Sequence, residues 1–120
     1  VFDDWRVRVD GRLVWASGLR LRDDMARALD CGAGFNGARA MATAVYIGPD
    51  CEELARELGP GMASSTEGLD AGLSCLGPLV VARWLGRDAM RLRVAFGSFW
   101  ARARQMAAGL PARMPEIWTI

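Results

Sequence analysis

A small α+β fold is what the sequence predicts: β-rich, its strands mainly antiparallel, with two helices packed against them. Three patterns predict it. Apolar and polar residues alternate through residues 1–22, interrupted by Asp10-Gly11, the dipeptide that most strongly marks a tight hairpin. An apolar run over residues 79–85 leads into a stretch where Leu92, Phe96, Phe99, Ala103, Met106 and Leu110 recur at steps of four, three, four, three and four. That spacing lays six apolar side chains on one face of a long helix, and the face must be buried. Between these two stretches, Gly48-Pro49-Asp50 ends a second apolar run and opens a shorter amphipathic helix.

Composition sets the frame for these elements. The 120 residues suffice for one domain, spanning 1–120, with a core that needs no metal or disulfide staple. Hydrophobic residues make up 52% and charged residues 24%, which describes a folded chain rather than a disordered one. Fifteen basic residues oppose fourteen acidic ones, a balance that gives no electrostatic ground for binding nucleic acid or an anionic membrane. All fifteen are arginine, which reads as the coding bias of a GC-rich genome. No apolar run is long enough to span a bilayer and no signal-like segment opens the sequence, so a cytoplasmic location is expected. Strand-like residues begin at Val1 without a methionine, and the expectation is a fragment of a larger β-rich scaffold.

Taken in order, Trp5, Val7 and Val9 share one face of the first strand and Arg6, Arg8 and Asp10 the other. After the turn Leu13 and Trp15 share a face, and Leu19 and Leu21 alternate with Arg20 and Arg22 as a third strand of a meander. Residues 23–29 suit one or two helical turns capped by Asp23 or Asp24. The glycine-rich residues 31–37 read as a flexible connection, because they lack the Gly-Lys-Ser/Thr ending of a phosphate loop. Residues 38–47 are apolar at nearly every position, which predicts a central strand covered on both faces. In the helix that follows, Asp50 is the expected cap, Cys51, Leu54, Ala55 and Leu58 the buried stripe, and Gly59-Pro60-Gly61 the stop. Residues 62–68 read as a loop or strand start, 69–76 as a strand, and Gly77-Pro78 as the turn into 79–85. Gly97 and Ser98 within the long helix mark a bend or a close contact. The tail beyond Gly109, with Pro111 and Pro115, is expected to be extended.

Candidate chemistry is sparse. There is no histidine, so Ser-His-Asp and Cys-His arrangements have no base, and no catalytic residue is assigned. Cys31, Cys51 and Cys75 are an odd number at wide spacing, against a disulfide framework or a zinc site; Cys51 and Cys75 read as small core residues. Glu52, Glu53 and Glu57 read as a solvated helix face rather than metal ligands, and no metal site is assigned. Two positions stand out. Arg83 leaves an apolar strand and either is buried or stacked and paired with a local carboxylate such as Asp88, or anchors a partner. Trp118 near the chain end must pack back or meet a partner, since arginine and tryptophan dominate interface hot spots. Both are candidate partner-binding residues. A small α+β nucleic-acid or protein-binding module is the alternative function, and an enzyme with Cys31 as nucleophile is a third.

Three stretches taken together resemble the C-terminal half of the urease accessory protein family UreD, also called UreH. They are Trp5-Arg6-Val7 through Asp10-Gly11-Arg12-Leu13-Val14-Trp15; Ala42-Thr43-Ala44-Val45-Tyr46-Ile47-Gly48-Pro49-Asp50; and Gly72-Leu73-Ser74 through Leu79-Val80-Val81-Ala82-Arg83-Trp84-Leu85-Gly86 to Pro115-Glu116-Ile117-Trp118-Thr119. Glu116 departs from the arginine common at that place in the family. The resemblance implies a non-catalytic scaffold that joins UreF and the GTPase UreG on apo-urease. It also implies that no cofactor is tightly bound and that nickel passes in transit to the urease active site.

Overall fold

The computed structural model describes residues 2–22, 24–32, 35–64 and 68–118. Two antiparallel sheets organise them, one of two strands and one of three.

The first sheet is the hairpin of β1 (Phe2–Val9) and β2 (Arg12–Arg20). Asp10 and Gly11 both take positive φ, 52° and 76°, the geometry a two-residue turn needs to match the twist of its strands. A bulge shifts the register between Val7 and Arg8, so that Val7 faces Trp15 while Arg8 faces Leu13. Leu13 and Trp15 therefore do not share a face as the alternation predicts. The third strand is also absent: Gly18, Leu19 and Arg20 pair with Asp4, Asp3 and Phe2, continuing β2. As long as β1 offers backbone partners, the chain gains hydrogen bonds by staying extended through Ser17-Gly18.

A short helix, α1 (Met25–Asp30), follows; Asp24 is its cap, its side chain accepting from the Arg27 amide at 3.2 Å. The other candidate cap, Asp23, lies outside the described residues, as do residues 33 and 34 of the glycine-rich connection.

The second sheet has the order β3-β5-β4, from β3 (Ala40–Ile47), β4 (Leu69–Leu76) and β5 (Leu79–Gly86). The predicted hairpin about Gly77-Pro78 forms, and Gly77 takes a φ of 60°. β5, not β3, is the central strand. Among the described residues β3 is paired along one side only, and all but one of its residues are half-buried. The apolar character of residues 40–47 does not choose between these places, because burial on both faces and pairing on both edges are separate demands.

Two long helices, α2 (Cys51–Ser64) and α3 (Ala89–Ala108), lie on one face of this sheet. Alternate residues turn that way: Ala82 and Trp84 from β5, Ala40, Ala42 and Ala44 from β3, and Leu69, Ala71 and Leu73 from β4. They enclose Met62 and Leu92 in the core, where the Trp84 ring meets Phe96 and Phe99 edge-on at 5.3 and 5.1 Å. The helix α2 does not stop at Gly59-Pro60-Gly61. Pro60 lies within it, forgoing one backbone hydrogen bond, while Met62, one turn beyond Leu58, extends the buried stripe of Cys51, Leu54 and Leu58. Residues 65–67, part of the expected loop, lie outside the described residues.

In α3 the apolar stripe is buried most at its start. Leu92 is buried and Phe96 and Phe99 half-buried, whereas Met106 and Leu110 are exposed. Gly109 ends the helix in the left-handed region with its amide on the Gln105 carbonyl, so Leu110 lies outside the helical phase. Gly97 is a close contact: a Cβ there would stand 3.6 Å from Met114 of the returning tail. Contrary to the expectation from its prolines, the tail is not extended throughout: the Arg113 amide donates to the Pro111 carbonyl at 2.8 Å, and Glu116–Trp118 form one 3₁₀ turn.

Candidate interaction surfaces

Arg83 projects from the middle of β5 on the face away from the helices, flanked in register by Thr43 and Gly72. Its guanidinium lies 5.3 Å from the centroid of the Trp15 ring and donates to the Ser17 hydroxyl. It thus ties the hairpin to the open face of the larger sheet. Asp3, Phe35, Met41 and Asp70 border the cleft of about 390 Å³ between the two sheets. Asp88 is not its partner: one carboxylate oxygen caps α3 by accepting from the Met90 amide at 2.9 Å, and the other lies 3.7 Å from Arg91. The sequence offers no signal for the true partners, because a contact between β2 and β5 depends on how two sheets dock.

Trp118 is on the other side of the sheet, over α3. Its indole stacks on Phe96 with centroids 5.6 Å apart and planes 12° from parallel, and Arg93 covers it at 5.1 Å. Arg93 also donates to the Trp118 carbonyl at 2.8 Å, which fastens the chain end to the helix. The indole stays more than a third exposed, 36%. The structure therefore does not bring the two candidate residues together; they mark opposite faces of one sheet.

A third cluster was not foreseen. At the end of β3 the Tyr46 ring folds over Gly48 and its hydroxyl donates to Asp50 at 2.6 Å. A Cβ on Gly48 would come within 2.4 Å of that hydroxyl oxygen, so this turn admits only glycine without moving the ring. The Cys51 thiol is buried below, 2.6 Å from the Pro78 carbonyl and 2.9 Å from that of Gly48. The hydrogen bond to Asp50, with burial and the nearby carboxylate charge, pushes the Tyr46 hydroxyl up to about 12. The spacing of Tyr46 and Asp50 around Gly48-Pro49 was the available signal. This cluster locks a turn.

The other candidates are placed plainly. Cys31 is exposed at the end of α1, and Cys75 is exposed too, not in the core, because it sits on an edge strand near its turn. Glu52, Glu53 and Glu57 are exposed on α2. Among the described residues no group of three or more Cys, Asp or Glu side chains is gathered as metal ligands are. No described helix is long and apolar enough to cross a membrane. The open sheet face carries Met41, Thr43, Val45, Val81, Arg83, Leu85, Asp70, Gly72 and Ser74. None of these nine residues is aromatic.

Comparison with known proteins adds what geometry does not hold. Residues 1–119 match the family model described as UreD urease accessory protein. The chain is 37% identical over 123 residues to the urease accessory protein UreD of Magnetococcus marinus, an alignment covering 98% of this chain and 42% of that one. It is 33% identical over 119 residues to the UreD of Sinorhizobium medicae, covering 98% and 41%. With the UreD of a Methylobacterium species it shares 36% identity over 119 residues, covering 97% and 40%. The chain thus spans about two fifths of the length of these relatives.

Proposed function

Because the chain belongs to the UreD family of urease accessory proteins, we propose that it serves urease maturation as a non-catalytic scaffold, joining UreF and the GTPase UreG on apo-urease while nickel is delivered. The observation that carries this reading is the match along residues 1–119, which takes in every element of both sheets. Nickel is cargo in this reading and cytoplasm the place of work.

The surfaces support a docking role. The Arg93-Trp118-Phe96 stack presents a tryptophan that is anchored by its neighbours yet open to solvent. A rigid, half-exposed aromatic flanked by a guanidinium is the kind of residue on which interfaces concentrate their free energy. Arg83 serves differently in the proposal, holding the hairpin in place so that its outer face meets the partner as one unit with the sheet.

The test is co-purification of the complete protein with UreF and UreG from the same source, as wild type and as Trp118→Ala. The expected result is a stable complex with the wild type, and with the variant a complex weakened about tenfold or more while cooperative unfolding persists. No complex with the folded wild type removes the scaffold reading. Lowered thermal stability with unchanged binding would remove Trp118 from the interface.

A further inference from the structure

The outer face of α3 breaks two local preferences at once. The helix carries four arginines and no acidic residue, and Arg91 and Arg93 stand in its first turns, where the macrodipole favours carboxylates. Asp88 offsets part of this, its carboxylate 3.7 Å from Arg91. Met90 and Val94, one turn apart, are each 66% exposed, and a β-branched residue so exposed costs helix propensity while burying little. Residues that break local preference without a gain inside the fold mark places where function sets the sequence. The neighbouring helix has the opposite balance: α2 exposes Glu52, Glu53 and Glu57 against Arg56.

Beside that face lies a groove of about 530 Å³ between α3 and α2. The buried Leu58, Met62 and Trp84, with half-buried Phe99, form its apolar floor, and the exposed Met90 and Val94 stand along its rim. Among the described residues, the charged groups lining it are Arg91 and Arg102 alone. These two lie three turns, or about 16 Å, apart on one face of α3, so they mark the two ends of the groove. Gly61 of α2 makes room for the second, since a Cβ there would stand 3.4 Å from a guanidinium nitrogen of Arg102. Both walls are helices whose backbone groups are satisfied internally, and the groove offers no strand edge. The occupant that fits has its own backbone satisfied as well, which is a third helix laid between the two.

We propose that this groove docks an acidic amphipathic helix of a partner protein, with its apolar stripe on Met90, Val94 and the groove floor and with carboxylates about three turns apart on Arg91 and Arg102. The proposal rests on the scaffold reading above and gives the chemistry of one docking element that the scaffold would receive. Charge selects the occupant. Two exposed guanidinium groups at the groove ends attract acidic side chains and repel a second copy of α3, which is itself basic. Met90 suits the role because a flexible thioether adapts to whatever packs on it. Met90, Val94 and Ser98 also border a cavity of about 510 Å³ that reaches Trp118, so the groove and the indole belong to one continuous surface.

The test uses the complete protein with UreF, UreG and apo-urease, and a photo-crosslinking amino acid in place of Val94. The cross-link is expected in a helix of one partner that carries acidic residues about three turns apart. Arg91→Glu combined with Arg102→Glu should weaken that complex about tenfold or more, whereas lysine at both positions, which keeps the charge, should leave it within about threefold. Oxidative footprinting on the wild type gives a reading independent of any variant: Met90 is labelled readily in the complete protein alone and slowly in the complex. An intact complex that is not weakened by the two glutamates overturns the proposal, as does one that gives no cross-link or a cross-link to a basic or non-helical segment. Met90 shielded before any partner is added overturns it too, the occupant then being the rest of the chain, or a second copy where dilution lifts the shielding. No complex with the folded wild type removes the scaffold reading itself, and this docking site with it.

Discussion

The Arg83 guanidinium rests 5.3 Å from the centre of the Trp15 ring, and that contact, with the hydrogen bond to Ser17, joins the hairpin to the three-stranded sheet. A cation over an aromatic face is worth roughly 0.5–2 kcal/mol, depending on how far solvent is excluded. Arg83 is exposed, which places its share near the lower end.

Arg83→Ala should therefore lower stability by only about 0.5–1 kcal/mol in urea titrations, yet release the hairpin. Limited proteolysis reads that release as new cleavage within residues 2–20. Cleavage and stability both equal to wild type would show that other contacts hold the hairpin.

Tyr46 is the only tyrosine in the chain, so tyrosinate absorbance reports on it alone. Its hydroxyl is raised from 10.0 to about 12 by the hydrogen bond to Asp50 first, then by burial and charge. The folded state thus holds this proton after an unfolded chain has begun to lose it. Stability from this group is whole below about pH 10 and falls as pH rises from there through about 12. A spectrophotometric titration should show little tyrosinate at pH 10.5 while the protein remains folded, and Asp50→Asn should shift the midpoint back towards 10. An ordinary midpoint in the wild type would contradict the Tyr46–Asp50 bond.

Trp84 is 2% exposed and meets Phe96 and Phe99 edge-on, so its loss empties the centre of the core. Trp84→Ala should destabilise the fold by about 3–5 kcal/mol, read by chemical denaturation, while Trp84→Phe keeps part of the aromatic packing and costs less. A loss under about 1 kcal/mol for the alanine variant would mean that the sheet and α3 do not share this core.

Local signals and their limits are visible in particular residues. Asp10-Gly11 specified its turn because positive φ at both positions is a property of the dipeptide itself. Asp24 and Gly109 likewise marked helix ends through their own backbone and side-chain groups. Pro60 misled, since a local breaker is overridden when the next turn carries a Met62 that the core can bury. Leu13 misled because the bulge that re-aims it lies in the pairing with β1.

The candidate residues divide in the same way. Trp118 was legible as an indole that must find a surface, and Arg83 as a charge leaving an apolar strand. Their partners were not, because Phe96, Arg93, Trp15 and Ser17 reach them only through folding.

By itself the sequence determined the α+β class, the hairpins, both long helices and the resemblance to the UreD family, since each rests on short-range periodicity, turn chemistry or ordered motifs. Only the tertiary structure decided that β5 lies between β3 and β4, that Arg83 meets Trp15, and that β3, among the described residues, pairs on one side only. The reason is physical. An apolar strand states that its faces will be buried, but which neighbours bury them, and which edge stays unpaired, depends on how the whole chain closes its hydrogen bonds and fills its core.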